Sequence, residues 1–349
     1  MRLARIVPGR PLPASIAGGI LTRDLRVAGR RLPKGMRLSP ADLEAIAGDP
    51  PARPVSVLVP GPADVHEDEA ALRLAAAVAG SDPGVTRRGP TQSRVDLVAA
   101  AAGIVEVRIA ALERLNRLDA LEVFTVVDGQ AVDPGDLVAS VKVAPHLVPE
   151  PLVAAGEALA ARAAPIVRVR PYRPVRIAVL VKGDVPAAAR RRFETAIRAK
   201  LDGLGATGAG TTYVKDEPEA VTAALREAVG RGSGRVDIVL TAGGASTDPD
   251  DPLFAAVTAL GGRIVRRGVP AHPGSMLWLA RIGRTAVVGL PSCGAYSMAT
   301  AADLLLARLV AGQPATAATV ARLAHGGVLA RTQRFRFPSY ARDLDAPDG

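Results

Sequence analysis

One stretch in the second half of the chain, residues 236–252, most constrains the fold; its sequence is VDIVLTAGGASTDPDDP. Residues 236–240 are apolar and largely β-branched, which is typical of a strand buried in a parallel sheet. Gly243 and Gly244 follow, and a helix is expected from Pro252 because proline favours the first helical turn. Strand, glycine loop, acids and helix in this order predict a ligand site beyond the carboxyl end of the strand. An ordinary surface turn, with aspartates that cap the helix, is the alternative.

Strands and helices alternate around this stretch. The pattern predicts strands at 175–181, 211–214, 263–267, 276–280 and 285–288. It predicts helices at 186–204, 218–229, 252–260 and 297–310. Such alternation is typical of the α/β class, and we expect a three-layer, doubly wound, mostly parallel sheet.

The segment before this domain has a mixed pattern. Residues 1–170 are expected to form an α+β region of one or two subdomains, residues 175–330 the α/β domain, and residues 331–349 a C-terminal tail. The proline-bracketed segment 171–174 is the expected boundary. Expected strands are 55–59, 104–107, 122–127 and 137–143; expected helices are 67–79, 97–102, 109–118 and 151–163. Ser39, Pro40 and Asp42 predict a further helix that begins with a capping box.

Composition excludes several classes of function. The 349 residues are 48% hydrophobic but only 3% aromatic, which leaves few rings for stacking on single-stranded nucleic acid. The net charge of +10 comes from scattered arginines instead of a dense basic arm. We therefore expect no nucleic-acid partner and instead attraction of a small phosphorylated ligand. The N-terminus lacks a signal-like apolar core, and no run of ~18 apolar residues predicts a membrane span.

The glycine loop suits a phosphorylated, oxygen-rich ligand. Backbone N–H groups of residues 243–246 can hold a phosphate. Hydroxyl donors are expected from Ser246, Thr247, Ser275 and Ser297. Asp251, together with Asp248 or Asp250, is a candidate Mg²⁺ site because carboxylates and phosphate oxygens are the ligands that this ion prefers. Catalysis at Asp251 would then consist of charge neutralisation and positioning.

Three segments in chain order resemble the molybdopterin-binding domain family of molybdenum-cofactor biosynthesis proteins. Members of that family have a strand, a Gly-Gly pair and an acid seven residues later, which corresponds here to Asp251 counted from Gly244. Their Pro-Gly turn is similar to Pro273–Gly274, and their Gly-Leu-Pro segment is similar to residues 289–291. The resemblance implies the molybdopterin-binding fold. The segment ILTRDLRVAGRRLPKGMRLSPADLEAIA also resembles the opening domain of the molybdenum-insertion branch.

The chain departs from the insertion branch at three places. Ser275 and Met276 stand where that branch has lysine and proline, and residues 292–294 replace its Gly-Asn-Pro. The small C-terminal β domain of that branch is not expected here. The Asp250–Asp251 pair is similar to the loop of a related branch that acts on nucleotide pyrophosphates.

The resemblance implies a cytoplasmic protein that binds molybdopterin or the molybdenum cofactor and assists its maturation or its delivery to molybdoenzymes. Expected partners are a pterin phosphate or nucleotide, an apo-molybdoenzyme and further copies of the chain. The alternative is a Mg²⁺-dependent nucleotide pyrophosphatase or adenylyl-transferring enzyme of the same fold, so enzyme and binding module both stay open. The implied cofactor-binding residues are Gly243, Gly244, Ser246, Thr247, Pro273, Gly274, Ser275, Pro291, Ser292, Cys293 and Ser297; the metal candidates are Asp248, Asp250 and Asp251.

Cys293 is the single cysteine, so no internal disulfide and no cysteine-based zinc site can form, which fits a reducing compartment. It precedes a predicted helix, whose N-terminus and nearby arginines would favour a thiolate. A thiolate is a soft ligand suited to molybdenum, whereas an inert packing residue is the alternative. His66, His146 and His325 are expected to be ordinary loop histidines, since no partner is identifiable near them in sequence.

If Cys293 has the functional role, alkylation of its thiol will proceed with a pKa below the free-thiol value of about 8.5. Cofactor will protect it. The measurement is the pH dependence of alkylation with and without molybdenum cofactor. A thiol that reacts only after unfolding would leave Cys293 as a packing residue.

Overall fold

The computed structural model describes residues 1–230, 232–244, 246–290 and 298–344, except for the side chain of Ser233. Its strands are β1 (Arg2–Ile6), β2 (Ile20–Leu21), β3 (Leu25–Val27), β4 (Arg30–Leu32), β5 (Val55–Val59), β6 (Asp64–His66), β7 (Val85–Thr91), β8 (Arg94–Ala99), β9 (Gly103–Val107), β10 (Leu121–Thr125), β11 (Ala131–Val132), β12 (Leu137–Val143), β13 (Leu147–Pro149), β14 (Val167–Pro171), β15 (Arg176–Lys182), β16 (Thr207–Val214), β17 (Ile238–Ala242), β18 (Arg263–Arg267), β19 (Trp278–Ile282) and β20 (Thr285–Gly289). Its helices are α1 (Pro40–Gly48), α2 (Glu67–Ala79), α3 (Ile109–Leu115), α4 (Glu150–Ala163), α5 (Ala187–Gly203), α6 (Pro218–Val229), α7 (Pro252–Ala259), α8 (Ala301–Val310), α9 (Ala317–Ala321) and α10 (Ser339–Arg342). None of these helices is both long and apolar enough to cross a membrane.

The chain divides into two compact units. The first comprises residues 1–100, 107–126 and 135–168, and the second comprises 101–106, 127–134 and the described chain from Val169 onward. The second unit thus takes in two short segments from the first half of the sequence. The predicted domain boundaries at 170–175 and at 331 remain predictions.

The first unit is mixed α+β. Its largest sheet has four antiparallel strands in the order β10-β12-β8-β7, and α2 packs on it beside α4. A second, three-stranded sheet has the order β1-β5-β2. At the start of α1, Ser39 Oγ accepts a hydrogen bond from Asp42 N, and the Asp42 carboxylate accepts one from Ser39 N. The predicted capping box is therefore confirmed.

The second unit is built on a six-stranded sheet in the order β16-β15-β17-β20-β19-β18. The first four strands in this order, β16, β15, β17 and β20, run parallel, whereas β19 and β18 are antiparallel additions at one edge. Alternate residues of β15 point to opposite faces: Ile177 and Val179 belong to the core that includes α5 and α8, and Ala178 and Leu180 to the core that includes α6 and α7. The predicted three-layer, doubly wound, mostly parallel sheet is confirmed.

Two helix predictions are wrong. Residues 97–102 were expected to be helical because of their alanines, but β8 occupies this region and pairs with β7 on one side and β12 on the other. Pairing with strands distant in sequence overrides the local propensity of alanine. A helix was expected over 297–310, whereas α8 begins at Ala301, because Thr300 and Asp303 form its capping box.

The C-terminal part of the described chain packs on the second unit. Phe337 and Ala341 are buried in its core. The Tyr340 hydroxyl donates a 3.0 Å hydrogen bond to Asp303, and Lys200 also hydrogen-bonds to that buried carboxylate. Burial and the negative charge of Asp303 raise the pKa of Tyr340 well above its ordinary value. Segment 331–344 therefore contributes to the core of this unit.

Arg308 in α8 is a buried charge whose acidic neighbours come from residues 101–106 and 127–134, the two short segments that the second unit takes from the first half of the sequence. Its side chain is 1% exposed, and its Nη2 lies 3.7 Å from the Asp128 carboxylate. Nη1 donates a 3.2 Å hydrogen bond to Gln313, whose amide donates to Glu106. Burial lowers the pKa of Arg308, and Asp128 opposes that effect. Residues 101–106 and 127–134 thereby supply the acids that accompany this arginine.

Asp128→Ala should lower the free energy of unfolding by about 2 kcal/mol, because it leaves the buried Arg308 charge without this carboxylate. Chemical denaturation measures the change. Asp119→Ala, at an exposed position, is the matched control and should have little effect. Asp128→Ala/Arg308→Met should be more stable than Asp128→Ala, since the apolar side chain removes the uncompensated charge. Equal stability of these last two variants would contradict the role of the pair.

Candidate functional site

The direction of chain progression reverses at β15. Helix α5 contributes to one core and connects β15 to β16. Helix α6 contributes to the core on the opposite face and connects β16 to β17, which lies on the other side of β15. Such a reversal opens a crevice outside the carboxyl ends of the two central strands, where ligands bind in open α/β sheets. Lys182 ends β15, and Gly243 directly follows β17. These two residues therefore lie at the crevice.

A lysine with two carboxylates occupies this position. Lys182 Nζ lies 3.0 Å from Asp251 Oδ2 and 2.8 Å from Asp216 Oδ1. The side chains of Lys182 and Asp251 are 4% and 2% exposed, whereas that of Asp216 is 54% exposed. Burial acts to lower the pKa of Lys182, but the hydrogen bonds to Asp216 and Asp251 outweigh it and raise that pKa above the ordinary lysine value. The site thus holds a buried ammonium with one buried and one exposed acid.

The Gly243 backbone passes very close to β15. Its φ is +82°, and a Cβ there would lie 2.0 Å from the carbonyl oxygen of Lys182. Both conditions require glycine at this position. The close approach brings the loop after β17 against the end of β15, beside the Lys182 side chain. The predicted glycine loop therefore does lie at the crevice.

Asp251 has a structural role that the sequence allowed as the alternative. It is the N-cap of α7, and its Oδ1 accepts a 2.9 Å hydrogen bond from Leu253 N. Its other oxygen accepts from Lys182. The cap and the ion pair bury Asp251, whose side chain is 2% exposed. Its predicted catalytic role remains a prediction.

Asp248 and Asp250 lie on the surface of the same loop. Asp248 Oδ1 accepts a 2.9 Å hydrogen bond from Asp250 N, and both residues are exposed. Ser246 is half-buried and Thr247 is exposed. No cluster of three or more histidine, cysteine, aspartate or glutamate side chains suited to a metal occurs in the described part of the chain.

An aromatic pair and an arginine lie behind the loop. The Trp278 ring is 2% exposed, and its Nε1 lies 3.9 Å from where a Cβ of Gly244 would be. Phe254 packs edge-on against it with 5.1 Å between ring centroids, and the Arg267 guanidinium lies 4.3 Å from the Phe254 centroid. In β17, shortly before the glycine loop, the buried Thr241 Oγ1 has no hydrogen-bond partner among the described residues.

The Pro273–Gly274 turn lies at the same edge of the sheet. It precedes β19, which begins at Trp278 opposite Gly289, the last residue of the parallel strand β20. It contacts the start of α8, where Ala301 N donates to Pro273 O at 2.9 Å. Ser275 is half-buried, with its Oγ 3.4 Å from His272 Nδ1. Four predicted site residues lie outside the described residues: Pro291, Ser292, Cys293 and Ser297.

Sequence reasoning missed Lys182 and Asp216. Lys182 follows the predicted strand at 175–181, and Asp216 comes shortly after the predicted strand at 211–214. The carboxyl ends of parallel strands meet at one edge of a sheet. That rule, applied to all strands and not only to β17, would have selected both residues.

Two of the histidines for which the sequence identified no partner have contacts in the structure. His146 Nδ1 is 2.8 Å from Glu67 Oε1, a carboxylate that is itself buried. His66 Nε2 is 2.9 Å from the Gly35 carbonyl oxygen. Both residues belong to the first unit. The expectation that they are ordinary histidines, and not catalytic ones, remains a prediction.

Comparison with known proteins bears on the second unit. Residues 180–311, which include both Lys182 and Asp251, match the model of a family described as a probable molybdopterin binding domain. Residues 180–311 belong to this family. The predicted molybdopterin-binding domain is thus confirmed over that segment, and the match supports a role in molybdenum-cofactor biosynthesis. No match was found among the curated proteins.

Three solved structures show a partial likeness to the chain. The molybdopterin biosynthesis enzyme MoaB from Thermus thermophilus is 23% identical and has a TM-score of 0.30, with 41% of this chain and 99% of that chain covered. The molybdopterin biosynthesis MoeA protein from Pyrococcus horikoshii is 15% identical and has a TM-score of 0.32, with 74% of this chain and 80% of that chain covered. A molybdopterin biosynthesis protein from Mycobacterium abscessus is 18% identical and has a TM-score of 0.28, with 43% of this chain and 91% of that chain covered. A shared activity does not follow from such low identities.

The ion pair predicts a pH dependence of stability. Because the folded state holds the Lys182 proton more tightly, the stabilisation is complete below the unfolded lysine pKa of about 10.4 and is lost as pH rises through the higher folded pKa. The free energy of unfolding should therefore fall more steeply above about pH 10.4 in the wild type than in Lys182→Met/Asp251→Asn. Lys215→Met, which removes an exposed neighbouring lysine, should follow the wild type. Parallel curves for the wild type and the double variant would refute the assignment.

Proposed function

We propose that the second unit binds molybdopterin or the molybdenum cofactor through its phosphate at the crevice beside Lys182. The observation that carries the proposal is the buried Lys182 ammonium, held at the carboxyl end of β15 next to the glycine loop. This arrangement lies within the segment that matches the molybdopterin-binding family. The protein would assist maturation of the cofactor or its delivery to an apo-molybdoenzyme.

The chemistry of the lysine supports anion binding. An ammonium has three N–H donors, and bonds to Asp216 and Asp251 account for two. Asp251 is buried and fixed as a helix cap, whereas Asp216 is mostly exposed. An incoming phosphate would therefore take the place of Asp216 at Lys182 and leave the Lys182–Asp251 pair intact. Backbone N–H groups of the glycine loop and the hydroxyls of Ser246, Thr247 and Ser275 would supply further hydrogen bonds.

Magnesium is a separate part of the proposal, and Asp251 as placed does not fit it. Both oxygens of Asp251 accept hydrogen bonds, one from Leu253 N and one from Lys182 Nζ. An ammonium already supplies positive charge beside the Asp251 and Asp216 carboxylates. Mg²⁺ is commonly bound by one or two carboxylates together with substrate phosphates. The exposed carboxylates of Asp248 and Asp250 would be its protein ligands here, with the rest of the shell from the ligand and water.

We place the protein in the cytoplasm, where a chain with one cysteine stays reduced. An apo-molybdoenzyme and further copies of this chain are the proposed protein partners. As a binding module the protein holds the cofactor for the client; as an enzyme it adds adenylyl transfer or pyrophosphate hydrolysis at the same crevice.

Binding of purified molybdopterin tests the site. Lys182→Met should weaken affinity at least about tenfold, since it removes a charge-assisted hydrogen bond in a buried setting. Asp216→Asn should strengthen affinity, because it removes the carboxylate that competes with the phosphate. Lys215→Met changes net charge as Lys182→Met does, but at an exposed neighbour, and should bind as the wild type does. Unchanged affinity in folded Lys182→Met, or weaker affinity in Asp216→Asn, would disprove the phosphate site.

Incubation with molybdopterin, Mg-ATP and molybdate distinguishes the functions. Release of AMP or pyrophosphate only in the presence of the pterin indicates an enzyme of cofactor maturation. Hydrolysis of a nucleotide without pterin indicates the pyrophosphatase alternative. Binding without either product indicates a delivery module. If Asp248 and Asp250 hold Mg²⁺, Asp248→Asn/Asp250→Asn will abolish the effect of Mg²⁺ on ligand affinity.

A further inference from the structure

A second cavity lies at the opposite edge of the six-stranded sheet, at the amino ends of the parallel strands. It has a volume of about 380 Å³ and is lined by the segments before β15 and β17, the turn from β19 to β20 and the carboxyl end of α8. This size is within the range of small-molecule sites. The cavity is separate from the crevice beside Lys182, because it lies at the other end of the same strands.

Four arginines line this cavity. They are Arg173, Arg235, Arg281 and Arg284. Asp237 is the acidic residue of the lining, and its Oδ2 already accepts a 2.9 Å hydrogen bond from Arg176 N. Arg281 donates a 3.1 Å hydrogen bond to the Gly283 carbonyl oxygen, which carries no charge. Among the described residues, no carboxylate forms an ion pair with Arg173, Arg235 or Arg284.

The fold itself offsets only part of this charge. The carboxyl end of α8, at Leu309 and Gly312, contributes the equivalent of about half a negative charge. Together with Asp237 this leaves a clear positive excess over four guanidinium groups. A concave wall concentrates the field of such an excess and attracts anions. Arginine adds planar pairs of N–H donors that match the oxygens of phosphate.

Gly312 shapes one side of the cavity for Arg173. Its φ is +83°, and a Cβ there would lie 2.6 Å from Cζ of the Arg173 guanidinium. The guanidinium therefore lies against bare backbone, in space that any other residue would fill. The Arg173 backbone is also fixed, since its N–H donates a 3.1 Å hydrogen bond to the Val310 carbonyl oxygen. At least one of the four arginines is thus held in place before a ligand arrives.

We propose that this arginine cavity is a second binding site, which takes a small polyanion that carries two or more phosphate-type groups. The ligand supplies the negative charge that the lining lacks, and the guanidinium groups bind its oxygens in pairs. The site is independent of the pterin function proposed above, because none of its residues belongs to the Lys182 crevice.

Inorganic diphosphate is the probe, and isothermal titration calorimetry of the full chain at low and raised salt is the measurement. The wild type should bind diphosphate at the arginine cavity more tightly than sulfate, and any binding of the probe at the Lys182 crevice should be lost in Lys182→Met. Arg235→Ala/Arg284→Ala should weaken binding at least about tenfold, since two charge-assisted contacts are lost. Both arginines are exposed, so the variant should fold, which circular dichroism checks. Arg284→Lys keeps the charge but loses the paired donors, and should show an intermediate loss.

Two control variants distinguish binding at the arginine cavity from binding at other positively charged positions of the chain. Arg191→Ala/Arg192→Ala on α5 removes the same charge at exposed positions and should leave affinity within about twofold of the wild type. Lys182→Met should leave the diphosphate binding that depends on Arg235 and Arg284 unchanged. The proposal is overturned if the wild type does not prefer diphosphate to sulfate, if the two double-arginine variants weaken binding equally, or if loss occurs with Lys182→Met and not with Arg235→Ala/Arg284→Ala.

Discussion

The ion pair between Lys182 and Asp251 connects the parts of the second unit on which its candidate site depends. Lys182 ends the first strand of the parallel sheet, and Asp251 caps the helix that follows the next central strand. With both groups buried, neither can be satisfied by bulk water, and loss of one partner would leave an uncompensated charge. The same lysine reaches Asp216 after β16. The Lys182 ammonium thus connects the carboxyl ends of three neighbouring strands, β16, β15 and β17. This is the position where the order of the strands reverses.

The two edges of the sheet have different electrostatic character. At the carboxyl edge the buried Lys182 ammonium contacts two acids, and the surface of the loop there carries Asp248 and Asp250. At the amino edge the arginines outnumber the acids. Helix α8 spans the distance between them: it begins beside the Pro273 turn and ends at the arginine cavity. The excess positive charge of the chain is therefore not spread evenly over this unit.

Local signals predicted most of the second unit. The alternation of apolar runs located β15, β17 and α5 to α7 closely, because proline or glycine stands near their ends. It predicted only the second half of β16. The strand at β8 was missed, since the alanines at 99–102 favour a helix and only the pairing of β8 with two other strands decides otherwise. The glycine loop was found from its own residues. The lysine that completes the site stands 69 positions before Asp251, and no local pattern connects them. The burial of Asp251 likewise depends on tertiary packing.

Trp278 is the only tryptophan of the sequence, and its buried indole lies beside Gly244 in the glycine loop. Phe254 packs edge-on against this indole, and the Arg267 guanidinium lies over the Phe254 ring. Indole emission responds to changes in polarity and in nearby charge, so this ring is an intrinsic fluorophore placed at the crevice. Occupation of the crevice can be followed optically in the unlabelled protein, without a second tryptophan elsewhere to obscure the signal.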